Sequence, residues 1–168
     1  VIMSYNLHII KKYLATIMII VLISTVKQSF GQDTLAGNYP LLTIKSGNHI
    51  IKSVVTIKGT LDIEAGAKIE LIEAGVIVCE GALNMKGELN NKIEIFGKSN
   101  MEGVGIVIKD LDSNMNSSID IRYVTFKNLQ LPLFFDFGWK RSGVNISDNN
   151  FINNIGKVSV IQVLNPPF

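Results

Sequence analysis

Val54-Val-Thr-Ile-Lys-Gly-Thr-Leu-Asp-Ile-Glu-Ala-Gly-Ala-Lys-Ile-Glu-Leu71 is the stretch that decides the fold. From Val55 onward its odd positions are Val, Ile, Gly, Leu, Ile, Ala, Ala, Ile and Leu. The even positions are Thr, Lys, Thr, Asp, Glu, Gly, Lys and Glu. A period of two puts successive side chains on opposite faces, so this is strand with one face buried and one wet. The pattern outlasts a usual strand of roughly 5–6 residues and continues in kind to Phe96, punctuated by Gly59, Gly66, Gly75, Gly81 and Gly87. A long alternating run bent repeatedly by small residues describes a chain coiling around its own core.

Internal repeats support that description. Gly59-Thr-Leu61-Asp-Ile63-Glu matches Gly81-Ala-Leu83-Asn-Met85-Lys at an offset of 22. Ile63-Glu-Ala-Gly66 recurs as Ile72-Glu-Ala-Gly75, a step of nine that fits one strand and its turn. Further on, Ile119-Asp-Ile121 matches Val144-Asn-Ile146 at an offset of 25. The same register aligns Phe126 with Phe151, Asn128 with Asn153, Leu133 with Val158 and Phe135 with Val160. A repeat of roughly 22–25 residues cannot bury its own apolar face; stacked repeats do so by pairing equivalent strands about 4.8 Å apart. The repeats therefore lead to an all-β fold, a solenoid of about five coils of parallel strands, behind an N-terminal signal helix.

The N-terminus differs in kind. Lys11 and Lys12 precede an uncharged run from Leu14 to Val26, and Ser29-Phe30-Gly31 sets small residues at −3 and −1 of a cut before Gln32. Basic, then apolar, then a small-residue cleavage site is the layout of a secretory signal, and the run falls short of the roughly 20 residues that span a bilayer. Removing residues 1–31 takes away Lys11, Lys12 and Lys27 and no acid, so the net charge falls from +2 to −1. A sparse, balanced charge argues against a nucleic-acid partner. The lone Cys79 has no partner for an intramolecular disulfide and reads as a small buried apolar residue. The expected organisation is signal peptide 1–31, leader 32–40, β-helix 41–163 and a truncated tail 164–168, with Met3 as the start and the natural protein continuing beyond Phe168. The expected location is secreted or cell-surface, with membrane contact only through the signal before cleavage.

The succession Val55-Thr-Ile57, Gly59-Thr-Leu61-Asp-Ile63-Glu-Ala-Gly66-Ala-Lys-Ile69, Gly81-Ala-Leu83-Asn-Met85-Lys-Gly87 and Ile93-Glu-Ile95-Phe96 resembles right-handed parallel β-helix proteins of the pectin-lyase-like superfamily. It is similar above all to the opening coils of exported surface proteins of Bacteroidetes-like bacteria, which implies an N-terminal fragment. Ile146-Ser-Asp-Asn-Asn-Phe151-Ile-Asn-Asn154 resembles the Asn-rich coils of the same fold, and the likeness covers about residues 41–163. The resemblance implies three parallel sheets, inward stacks of like residues, and turn asparagines stacked coil upon coil. Asn128 and Asn153 are the candidates for that ladder.

Enzymes of this fold class cleave polysaccharides, lyases with clustered Asp for calcium and a basic residue, hydrolases with paired carboxylates. Here Asp110 and Asp112 share a loop, Asp120 and Arg122 share an outward strand face, and Asp136 lies near Lys140 and Arg141. None completes such a motif, so no catalytic, cofactor-binding or metal residue is assigned and no cofactor is expected. His49 lacks a second His or Cys nearby and reads as a partly exposed strand residue. Trp139, beside Lys140 and Arg141, is the weak candidate for stacking on a sugar. The expected function is a non-catalytic β-helix module, a rigid scaffold or adhesin with a polysaccharide or cell-surface partner and the remaining coils of its own chain. The alternative is a polysaccharide lyase or glycoside hydrolase whose site lies in coils downstream.

Overall fold

A computed structural model describes residues 33–98, 104–109, 118–136, 143–155 and, as backbone, 161–164. The signal segment 1–31, Asp110, Asp112 and the Trp139-Lys140-Arg141 triplet lie outside the described residues. Every element described is a β-strand.

The chain opens with β1 (Asp33–Tyr39), β2 (Leu42–Ile44) and a long β3 (Gly47–Ile57). Next come β4 (Leu61–Ile63), β5 (Ala67–Leu71), β6 (Val76–Cys79), β7 (Leu83–Lys86) and β8 (Ile93–Gly97). Then follow β9 (Val104–Lys109), β10 (Ile119–Arg122), β11 (Val124–Lys127), β12 (Leu131–Asp136), β13 (Val144–Ser147), β14 (Asn150–Ile152) and β15 (Ile161–Leu164). The segment from Asp33 to Tyr39, expected as leader, is thus a strand that pairs along β3.

All pairings between these strands are parallel. One sheet runs β13-β10-β7-β4-β2. The other has two wings that meet in β3, whose first half pairs β5 and whose second half pairs β6. From there one wing continues through β8, β11 and β14, and the other through β9, β12 and β15. Successive strands therefore do not pair with each other; from β4 onward each pairs with the strand three places further on. The repeats are the cause. Leu61 pairs with Leu83 and Ile63 with Met85, as the 22-residue offset requires. Ile119 pairs with Val144, Ile121 with Ile146 and Phe126 with Phe151, as the 25-residue offset requires.

Burial follows parity. Val55, Ile57, Leu61, Ile63, Ala67, Ile69 and Leu71 are buried, while Lys58 and Lys68 are exposed. In-register pairing then stacks like upon like: Leu61, Leu83 and Ile119 in one column, Ile77, Ile106 and Leu133 in another. Cys79 sits in such a column between Ile57 and Ile108 and is fully buried, as its apolar surroundings predict. The rings of Phe126 and Phe151 lie 5.1 Å apart and 8° from parallel.

The sequence register fails in one place. Leu133 pairs with Ile161 and Phe135 with Val163, not with Val158 and Val160. Phe126 to Phe135 spans nine positions and Phe151 to Val163 twelve, so the connection between β14 and β15 is longer than its counterpart and delays the strand. His49 is also corrected. It is 7% exposed, in phase with inward Ile51, and its Nε2 lies 2.8 Å from the Lys45 carbonyl oxygen.

Gly59 and Gly81 lie where neighbouring backbones approach closely. Gly59 N–H donates to the Pro40 carbonyl at 2.9 Å, and a Cβ on Gly81 would collide with the Gly59 carbonyl oxygen. Backbone rather than a movable side chain stands in the way, so Gly81→Ala is expected to lower unfolding stability by about 1–3 kcal/mol. Urea titration of the variant against the parent measures it.

Candidate functional site

The outward face of the β13-β10-β7-β4-β2 sheet carries a connected cluster of polar side chains. Parity turns Asp62, Asn84, Asp120 and Asn145 outward, and strand register sets them in one column. The Asn84 amide donates to Asp62 Oδ1 at 2.8 Å, and the Asn145 amide donates to Asp120 Oδ1 at 3.0 Å. A neighbouring column holds Lys86, Arg122 and Ser147.

Asp120 is the centre of this face. Lys86 Nζ lies 3.3 Å from its Oδ2, and Arg122 Nη2 donates to the same oxygen at 3.1 Å. Arg122 Nε approaches Oδ1 to 2.9 Å but off the line of a hydrogen bond, so that contact is an ion pair only. Burial pushes the Asp120 carboxyl up, yet the hydrogen bonds and charges of Lys86 and Arg122 outweigh it and hold the group below its usual value. At the sheet's other end a hydrogen bond from Lys45 Nζ at 2.7 Å leads the lowering of the Glu64 carboxyl. It acts against a little desolvation and is helped by the Ser46 N–H at 3.4 Å. Both side chains of that second pair are substantially exposed, so it adds little stability.

These geometries suit recognition better than proton transfer. A general acid needs a carboxyl held protonated near working pH, and Asp120 and Glu64 are shifted the other way. Asp62 and Asp120 stand two strands apart, about 9.6 Å at the strand spacing, and each accepts an amide hydrogen bond from the neighbouring strand. Among the described residues no group of three His, Cys, Asp or Glu is placed to hold a metal ion. Asp120 and Arg122 do share one face, as their spacing predicts, while Trp139, Lys140 and Arg141 fall outside the described residues.

The turn asparagines are real, but they are different residues. Asn149 Oδ1 accepts from Val124 N–H at 2.9 Å, and its Nδ2 donates to the Ile121 carbonyl at 2.8 Å. Asn154 repeats the arrangement with Leu129 N–H at 2.9 Å and the Phe126 carbonyl at 3.0 Å. Asn128 and Asn153 instead occupy left-handed turns at φ of 56° and 51°, a conformation that asparagine tolerates better than most residues. Tyr123 and Asp148 form the matching pair at the other corner. A signal for the clamps was present in the sequence. The 25-residue register lays Asn149 over Val124 and Asn154 over Leu129, two inward positions where an amide must find partners.

No family model, no curated protein and no solved structure matches this chain.

Two outcomes follow from these contacts. Asn149→Ala leaves the Val124 N–H and the Ile121 carbonyl without their partners and is expected to cost about 1–3 kcal/mol. Asn150→Ala, at an exposed position, should stay within about 0.5 kcal/mol; thermal or urea unfolding of the two variants compares them. The Asp120 carboxyl is lowered in the folded chain, so its contribution is complete above the ordinary aspartate range and is lost as pH falls through the folded value. Asp120→Asn is therefore expected to destabilise by roughly 1 kcal/mol at neutral pH. The gap from the parent should close below the ordinary aspartate pKa of about 3.9, as urea midpoints measured across that range would record.

Proposed function

We propose that this chain is a right-handed parallel β-helix of the pectin-lyase-like kind, exported through its N-terminal segment. Its role is that of a rigid, non-catalytic scaffold or adhesive element at the cell surface. Its polar flank, centred on Asp62, Asn84, Asp120 and Asn145, contacts glycan. The observation that carries this reading is the column of outward carboxylates and amides, repeated at strand spacing and already tied together across layers.

Four features support it. Pairing with the strand three places on, in parallel and with like residues stacked, is what a winding chain with three strands per turn produces. The right-handed sense is the rule for parallel crossover connections. A flat row of hydrogen-bonding groups held by neighbouring strands suits sugar hydroxyls without needing a deep pocket. The charge of −1 without residues 1–31 is compatible with an uncharged polysaccharide partner.

A panel of soluble polysaccharides tests the reading directly. Binding by calorimetry is expected without any change in polymer length or reducing ends, and Asp62→Ala with Asp120→Ala should weaken it at least about tenfold, since two polar contacts are lost. Release of shortened or unsaturated sugars by the purified protein would overturn it in favour of a lyase or hydrolase.

A further inference from the structure

Parity turns polar rows outward on two faces: Asp62, Asn84, Asp120 and Asn145 on one, Lys68, Glu94, Thr125 and Asn150 on the other. The wing built from the second half of β3 with β6, β9 and β12 departs from this. Its outward column is Thr56, Val78, Val107 and Phe134, in register from strand to strand. All four are half-buried, and Val54, two residues before Thr56, is 49% exposed beside half-buried Val76. Register continues the column to Asn38 at one end and Gln162 at the other, so the apolar run is bounded inside the described strands. Contiguous valine and phenylalanine on a face that solubility assigns to polar groups mark an interaction surface.

The row beside that column defines what the surface fits. Lys58, Glu80, Lys109 and Asp136 each follow an inward residue, and those inward residues, Ile57, Cys79, Ile108 and Phe135, are in register. The outward row therefore alternates plus, minus, plus, minus along the layers. Run in reverse, it is its own complement. A twofold axis parallel to the strands lays this face of one copy on the same face of another with the layers in opposite order. Lys58 then meets Asp136 of the second copy, and Glu80 meets its Lys109. The same axis sets Val78 against Val107 and bulky Phe134 against the smaller Thr56. Layers in the same order would set Lys58 on Lys58 and Glu80 on Glu80, so charge selects the reversed arrangement.

We propose that this face binds a second copy of the chain, as a symmetric dimer whose layers run in opposite order. Strands roughly 4.8 Å apart and residues roughly 3.3 Å apart make the patch roughly 15–20 Å across. That is the size of a weak, concentration-dependent contact rather than an obligate one. An uncharged lipid surface would use the apolar column alone and has no need of a row that alternates in sign. The face belongs to a different sheet from Asp62 and Asp120, so dimerisation and the glycan contact stand or fall separately.

Sedimentation equilibrium of the purified protein from about 10 μM to about 1 mM is expected to show monomer–dimer exchange that salt weakens. Glu80→Lys and Lys109→Glu, each alone, set like charges across the axis twice. Each should raise the dissociation constant at least about tenfold. Mixed together, the two variants restore every opposite pair, so a heterodimer should form with close to the parent's affinity. Mixing leaves the charged row within each chain as it was, so recovery cannot come from folding. Val78→Lys, at an outward position where a strand tolerates lysine, should abolish the dimer. Unchanged association of both swapped variants, or no recovery on mixing, would overturn the proposal. So would a monomer at every concentration, including one that instead binds neutral phosphatidylcholine vesicles.

Discussion

Parallel pairing of equivalent strands in register is the constraint on which the remaining features depend. A sheet of this kind places each side chain directly beside its counterpart in the next layer, so a residue tolerated once must be tolerated in a column. Inward columns become continuous runs of Ile, Leu, Val and Phe, because a polar group repeated there would need a partner at every level. Outward columns become rows of like polar groups, which must alternate in charge or be bridged by amides to avoid repulsion. The acid and amide rows Asp62–Asn84 and Asp120–Asn145 are one answer to that condition. The flanking cations Lys86 and Arg122 are another.

The same constraint shapes the turns. Corners that recur one above another must adopt one backbone conformation, and the left-handed pairs Tyr123 with Asp148 and Asn128 with Asn153 do so. Each corner leaves backbone groups that no sheet hydrogen bond satisfies. Asn149 and Asn154 answer this with one side chain each, whose oxygen and nitrogen bridge a donor and an acceptor of the layer before. Turns and outward face therefore use the same chemistry: amides and carboxylates working across the strand spacing.

That shared chemistry is what the proposed glycan contact draws on. Its carboxylates are positioned by neighbouring layers rather than by a pocket, and Asp120 is held ionised by two cations. Cross-layer hydrogen bonds hold these side chains in place, which for the proposed glycan contact reduces the ordering entropy lost.

Alternation from Val55 to Leu71 determined by itself which side chains lie inside, because parity alone chooses the face of a strand. The 22- and 25-residue repeats determined three of the pairings, since equal spacing with equal residue types leaves one in-register solution. Parity also placed His49 with inward Ile51, although its lack of ligand partners had suggested a half-exposed residue. Tertiary structure alone decided the axial offset of β15, because a period of two is blind to how many residues a connection consumes before the next strand begins. It also decided that Asp33–Tyr39 pairs as a strand, and which backbone groups Asn149 and Asn154 clamp. The 25-residue register points to those two asparagines, but the unpaired backbone they meet exists only once the layers are stacked.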